Sequence, residues 1–126
     1  MPLVRVDVPE TRPVEDLAAI GDGVHRALIE AIGIPPQDRF QVLSRHPAAL
    51  LVFDRHYLGI SRSDGIVFVQ ITLSLGRSLD QKKALYEAIV RNLGQNPGVR
   101  GEDVFVNLVE VVKENWSFGN GVAQYA

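Results

Sequence analysis

The second residue of the chain is the one with the most unusual potential chemistry. Pro2 follows the initiator methionine, and we expect removal of Met1 because the residue after it is small. The new amino terminus would be a secondary amine held in a ring. An ordinary α-amine has a pKa of about 7.7–8.0, which burial or a nearby positive charge lowers. Such an amine is a neutral base near pH 7 that can move a proton between carbon and oxygen. With Met1 retained, the same nitrogen is a non-basic amide.

The other reactive side chains do not form a site by their spacing alone. His25, His46 and His56 lack the spacing of metal-binding motifs, so a metal site has no support. For His25 a place at a helix–sheet boundary is a simpler interpretation than a substrate contact. The segment 59–63 lacks the last glycine of a nucleophile elbow and is predicted to be a loop. Taken by itself, Pro2 is also compatible with the plain start of a strand.

Composition excludes several classes of function. The chain has 126 residues, 46% of them hydrophobic, with 13 basic and 15 acidic side chains. This charge balance offers no basic field for a nucleic acid. The absence of cysteine excludes disulfides, thiol nucleophiles and cysteine-ligated metals. The first residues form neither a signal peptide nor a membrane span. We therefore expect one cytoplasmic domain with neither a nucleic-acid nor a membrane partner.

The elements that must position any site come from an internal repeat. The two halves align without a gap when Leu3–Val8 is placed on Phe68–Leu73. The same shift places Arg12 on Arg77 and Asp38 on Asp103. In both halves a strand-like run is followed by a turn, a helical run and a second strand-like run. This order predicts a β-α-β unit used twice.

Local patterns define the predicted elements. Residues 2–8 alternate as a strand does, apolar residues recur with helical spacing from Val14 to Ala31, and Ser78 with Gln81 forms a capping box. The remaining predictions are a strand near 40–43, a short strand at 50–53, a helix after Ser78, a strand at 103–112, and a hairpin or turn in the tail.

The predicted fold class is α+β, an α/β sandwich with a four-stranded mixed sheet and two helices on one face. One domain, 1–126, would contain repeats at about 2–45 and 66–112, a linker at 46–65 and a tail at 113–126. Two helices cover only one face of such a sheet. We therefore expect a second subunit to cover the other face.

Five short segments, in this order, carry a resemblance to a known family. They are Met1–Leu3, Val24–Ala27, Asp38–Gln41, Gly76–Ser78 and Trp116–Gly119. Together they resemble the tautomerase superfamily, whose members consist of β-α-β units and use an amino-terminal proline. The fuller similarity covers nearly the whole chain and is to the double-length members that resemble malonate semialdehyde decarboxylase. The resemblance implies a homotrimer without a cofactor.

The resemblance also implies roles for individual residues. Pro2 matches the catalytic proline, and Arg77 matches the arginine that binds a substrate carboxylate. Asp38 matches the aspartate that positions substrate or water. The remaining matches are to substrate-binding positions: Trp116 and Phe118 in the aromatic wall, His25 at a helix histidine of the dehalogenase members, and Arg39 as a cation that could assist Arg77.

The sequence departs from the family pattern at one arginine. The decarboxylases and dehalogenases have two arginines here, but this chain has Ser74-Leu75-Gly76-Arg77. Arg39, Arg12 or a neighbouring subunit could replace the missing cation. Losing it weakens the case for decarboxylation more than the case for keto–enol exchange. The first hypothesis is therefore a cofactor-free tautomerase (an isomerase) of small carboxylate-bearing oxo or enol acids. A decarboxylase or hydratase (a lyase) on the same site and a non-catalytic trimeric binding protein remain as alternatives.

Overall fold

The structure, a computed structural model, describes residues 1–126. Four strands and two helices follow the order predicted for a repeated β-α-β unit. Their bounds are β1 Leu3–Pro9, α1 Val14–Ile32, β2 Phe40–His46, β3 Val67–Ser74, α2 Leu79–Gln95 and β4 Val104–Val111. The predicted fold class is confirmed.

The sheet is mixed and has the strand order β2-β1-β3-β4. Within each repeat the two strands are parallel, since a helix returns the chain to the starting edge. The two repeats meet through the antiparallel pair β1 and β3, in which Leu3 lies opposite Thr72. As a result, the starts of β1 and β2 lie at the same edge of the sheet as the ends of β3 and β4.

Both helices pack on the same face of the sheet. The inward positions of β1 are Val4, Val6 and Val8, all 1% exposed or less. Helix α1 is capped by Gly33, whose φ of 69° is a left-handed conformation that favours glycine. Helix α2 begins with the predicted capping box. A Cβ on Gly23 would lie 2.9 Å from the Leu93 side chain, so this glycine permits the close approach of the two helices.

The other face of the sheet, here called the open face, carries both apolar and polar side chains. Phe68 packs against Phe105 with ring centroids 5.3 Å apart, and Gln70 Nε2 donates to Asn107 Oδ1 over 3.1 Å. Phe105 is 47% exposed in the single chain. This face is therefore less uniformly apolar than the strand pattern alone suggests.

The segment between the repeats lies over part of the open face. The predicted strand at 50–53 is wrong, because residues Ala48–Leu50 form a 3₁₀ turn and the following residues pair with no strand. Phe53 instead packs edge-on against Phe68 at 6.2 Å. This segment thus packs against the face of the sheet and does not pair with an outer strand. The tail forms turns, one of the two predicted alternatives.

None of the helices combines the length and the apolar character needed to cross a membrane.

Candidate active site

The topology gathers the candidate residues at one edge of the sheet. Pro2 precedes β1, Asp38 precedes β2, Arg77 follows β3, and Trp116 follows β4. Positions that are far apart in sequence therefore lie together, because parallel pairing within each repeat and antiparallel pairing between repeats place these four strand ends side by side.

The amino terminus lies against Asp38. The terminal ammonium of Met1 forms an ion pair with Asp38 Oδ2, and the Asp38 side chain is only 15% exposed. Pro2 itself is buried. The loop that carries Asp38 is held by a turn in which Asp38 N donates to Pro35 O over 3.0 Å. A carboxylate is thus fixed next to the amino terminus.

A cationic cavity of about 280 Å³ lies on the Met1 side of this contact. It is lined by Met1, Ser74, Leu75, Gly76, Arg77, Gln81 and Lys113. Arg77 Nη1 donates to Ser74 O over 3.0 Å, which fixes one edge of the guanidinium. No Asp or Glu lines this cavity. Two cations without a counter-charge make it suitable for an anion.

An aromatic cleft of about 210 Å³ lies on the Pro2 side. It is lined by Pro2, Leu3, Phe40, Trp116, Ser117 and Phe118. The rings of Trp116 and Phe118 are stacked, with centroids 5.4 Å apart and planes at 11°. Phe118 also contacts Phe40 at 5.9 Å. The cleft contains no charged side chain, so it suits an apolar group.

Ser74 and Trp116 connect the two spaces. The indole Nε1 of Trp116 donates to Ser74 Oγ over 3.0 Å, and Ser74 Oγ in turn lies 3.7 Å from the Met1 sulfur. The indole ring therefore belongs to the aromatic cleft, while its hydrogen-bond acceptor belongs to the cationic cavity. Met1 and Pro2 lie at the boundary between an anion-binding region and an apolar region.

Two predicted substrate contacts line neither space. His25 is 8% exposed, and its Nε2 donates to Pro36 O over 2.8 Å. Arg39 Nη2 donates to Asp22 Oδ1 over 2.7 Å, towards α1. Both side chains are therefore occupied by contacts that hold the loop containing Asp38. Arg12, another candidate for the missing cation, follows β1 and lies at the opposite edge of the sheet.

Residue-by-residue reasoning missed part of both linings. Lys113 enters the cationic cavity from the end of β4, Ser74 accepts the indole hydrogen bond, and Phe40 adds a third ring to the cleft. Phe40 directly follows Asp38-Arg39, so the family resemblance of this segment was a signal that could have predicted its place in the site. Lys113 is one lysine among many charged surface positions, and only the fold brings it to Arg77.

A larger cavity of about 480 Å³ lies on the open face, where Asp7, His46, Phe68 and Phe105 are among its lining residues. His46 Nε2 is 2.5 Å from Asp7 Oδ1 there. None of the strand ends that carry Pro2, Asp38, Arg77 or Trp116 reaches it. One acidic side chain outside this cavity has a shifted pKa. Hydrogen bonds from the backbone amides of His56 and Tyr57 lower the pKa of exposed Asp54 below its usual value. No group of three or more His, Asp or Glu side chains is arranged to hold a metal ion.

Two family models match the chain. Both are described as tautomerase enzymes, and they cover residues 38–119 and 2–59. The chain belongs to the tautomerase family. Probable tautomerase YusQ of Bacillus subtilis (strain 168) is 37% identical to it over 124 residues, which is 98% of each chain.

Solved structures of the same fold support this membership of the tautomerase family. FG41 malonate semialdehyde decarboxylase, inhibited by 3-bromopropiolate, is 38% identical with a TM-score of 0.92, covering 98% of this chain and 93% of that one. A symmetric trimer of wild-type fused 4-OT is 22% identical with a TM-score of 0.78, covering 95% and 94%, and at that identity shows the fold alone. The resemblance to double-length tautomerases is therefore confirmed.

Proposed function

We propose that the protein is a cofactor-independent tautomerase that interconverts the keto and enol forms of small 2-oxo acids. The observation that carries the proposal is the position of the amino terminus, which lies against Asp38 between the cationic cavity and the aromatic cleft. If Met1 is removed, the free amine of Pro2 becomes the group at this boundary. A substrate with its carboxylate in the cavity and its apolar part in the cleft would present its reacting carbons to that amine.

Each residue has a defined task in this proposal. The Pro2 amine accepts the enol proton and delivers a proton to C3, or performs the reverse exchange. Arg77 binds the carboxylate with its planar, bidentate guanidinium. Asp38 orients the enol hydroxyl or a water molecule. Trp116 and Phe118 exclude solvent, which strengthens the electrostatic contacts inside.

His25 and Arg39 act indirectly in this proposal. Their hydrogen bonds to Pro36 O and Asp22 Oδ1 hold the segment that carries Asp38. They are therefore positioning residues, while the groups that touch the substrate belong to the cavity and the cleft.

The lining of the cleft favours one kind of 2-oxo acid. Phe40, Trp116 and Phe118 supply ring surface, and no charged side chain is present to bind a second carboxylate. A monocarboxylate with an aryl group, of the phenylpyruvate type, fits this division better than a dicarboxylate of the 2-hydroxymuconate type. Burial of a second carboxylate against these rings without a partner would be unfavourable.

A decarboxylase or hydratase acting on malonate semialdehyde is the second candidate. The contact between the amino terminus and Asp38 is compatible with it, since the decarboxylases that the sequence resembles use an aspartate together with the proline. Similarity to FG41 malonate semialdehyde decarboxylase supports the same candidate. The missing arginine at Ser74-Leu75 counts against it.

Turnover of two substrates by the Pro2→Ala variant tests both candidates. We expect wild-type protein to ketonise the enol of phenylpyruvate, followed by ultraviolet absorbance. The variant should lose roughly 10²-fold or more in kcat/KM, the usual contribution of a positioned acid–base group. Pro13→Ala is the matched control, since Pro13 is exposed at the start of α1 and should retain full activity.

The outcomes separate the alternatives. Release of carbon dioxide from malonate semialdehyde, without ketonisation of the enol, would replace the tautomerase proposal with the decarboxylase. Equal turnover by the wild-type and Pro2→Ala proteins would show that Pro2 does not catalyse the reaction. It would favour a non-catalytic binding protein.

We also propose that three copies of the chain assemble through the open face. Phe105 and Val42 are 47% and 41% exposed there in the single chain, and assembly would remove this apolar surface from water. The trimer of fused 4-OT, which has the same fold, supports the number of copies.

A further inference from the structure

The cationic cavity has a second positive group that the family pattern does not explain. One of the two arginines expected after β3 is absent, and its segment reads Ser74-Leu75-Gly76-Arg77. Nevertheless, the cavity that contains Arg77 also contains Lys113, which follows β4, the other strand of the same repeat. The two cations therefore reach one space from different elements.

The backbone of Lys113 is fixed relative to the rest of the site. Leu75 N donates to Val111 O over 2.9 Å, which extends the pairing of β3 and β4 past the end of the sheet. Lys113 then begins a 3₁₀ turn, Lys113–Asn115, and Trp116 N donates to Lys113 O over 3.3 Å. The same short segment thus delivers both the lysine to the cavity and the indole to the cleft.

The ammonium of Lys113 has no partner within the chain. Lys82 on α2 forms an ion pair with Glu110 over 2.7 Å, whereas no hydrogen bond or ion pair involves the Lys113 side chain. The other cations considered for this task are occupied, Arg39 by Asp22 and Arg12 by Asp16. No carboxylate lines the cavity to neutralise Lys113.

We propose that Lys113 binds the substrate carboxylate together with Arg77 and supplies the second cation that Ser74-Leu75 lacks. This inference rests on the proposed function and names a further substrate-binding residue for it. Arg77 would hold the carboxylate in a bidentate geometry, and Lys113 would add a flexible point charge from the end of β4. Because this charge acts on the bound acid throughout the reaction, its main effect would be on substrate affinity.

The test uses the variants Lys113→Gln and Lys113→Arg, with Lys83→Gln as the matched control. Lys83 is exposed on α2 and lines neither the cavity nor the cleft, so it loses the same charge without touching the site. We expect Lys113→Gln to raise KM for the enol of phenylpyruvate about tenfold, the size of one charge-assisted hydrogen bond. Its kcat should change little, Lys113→Arg should restore KM, and the methyl ester of the substrate should show no difference between variants.

A second measurement separates this inference from the proposed function. Trp116 is the only tryptophan, so its fluorescence reports binding of phenylacetate, a carboxylate that cannot tautomerise. If wild-type protein binds phenylacetate about tenfold more tightly than Lys113→Gln but does not turn over the enol, the proposed function fails and Lys113 stands as a carboxylate ligand. If Lys113→Gln matches Lys83→Gln in both KM and phenylacetate affinity, the role of Lys113 is overturned whatever the enzyme does.

Discussion

The same residue types at repeat-related positions perform different tasks. Asp38 contacts the amino terminus at the candidate active site. Its counterpart, Asp103, is 1% exposed and accepts hydrogen bonds from Ser63 N and Ser63 Oγ. At that opposite edge of the sheet, Arg12 Nη2, the counterpart of Arg77, donates to Gly65 O over 2.7 Å. The chain between the repeats therefore occupies the edge with Asp103 and Arg12, and only the edge with Asp38 and Arg77 has an amino terminus.

Exchanging each aspartate for asparagine separates these two tasks. We expect Asp103→Asn to lower the free energy of unfolding by about 1–3 kcal/mol, because a buried acceptor of two hydrogen bonds loses its charge and half its accepting capacity. Asp38→Asn should lower it by about 1 kcal/mol or less, because it loses one contact, with the amino terminus, whose hydrogen bond an asparagine oxygen can still accept. It should nevertheless reduce kcat/KM for the enol. Urea denaturation and steady-state kinetics measure the two effects.

The pair of variants also serves as its own control. An Asp103→Asn protein with unchanged stability would contradict the structural role of the buried carboxylate. An Asp38→Asn protein that keeps full turnover but unfolds easily would show that Asp38 stabilises the fold and takes no part in the reaction.

At the scale of elements, most of the fold could be predicted because its signals are local. The alternation in β1, the apolar stripe of α1 and the capping box before α2 each require only neighbouring residues. The repeat then fixed the order of elements. Pro2 and Arg77 could be predicted as site residues because each lies next to a strand or helix, in a segment that carried the family resemblance.

The parts that could not be predicted depend on contacts between distant segments. Residues 50–53 have the composition of a strand, but Phe53 packs onto the face of the sheet against Phe68. Lys113 has no local signal either, since its meeting with Arg77 follows from the register of β3 and β4. His25 and Arg39 have the chemistry of substrate contacts, yet the fold gives them partners in the loop before β2 and on α1.

At the scale of the whole molecule, one face of the sheet is covered by helices and the other only partly by the segment between the repeats. We expect Phe105→Arg, which places a charge on the open face, to convert trimers into smaller species at micromolar concentration. Desolvating an unpaired guanidinium in an interface is costly. Light scattering after size-exclusion chromatography gives the mass directly.

Val14→Arg is the control for this experiment, because Val14 is 60% exposed on the helical side. It should leave the assembly unchanged, and far-ultraviolet circular dichroism should show both variants folded. A Phe105→Arg protein that remains trimeric would place the subunit interface elsewhere.

The account depends most directly on whether the nitrogen of Pro2 is free. Intact mass and enol turnover should be measured on wild-type protein and on a chain with one alanine inserted between Met1 and Pro2, in which the proline nitrogen is always an amide. We predict that the wild-type protein lacks Met1 and is active, and that the extended chain is folded but inactive. Equal turnover by the two proteins, or full activity in wild-type protein that retains Met1, would contradict catalysis by an amino-terminal proline.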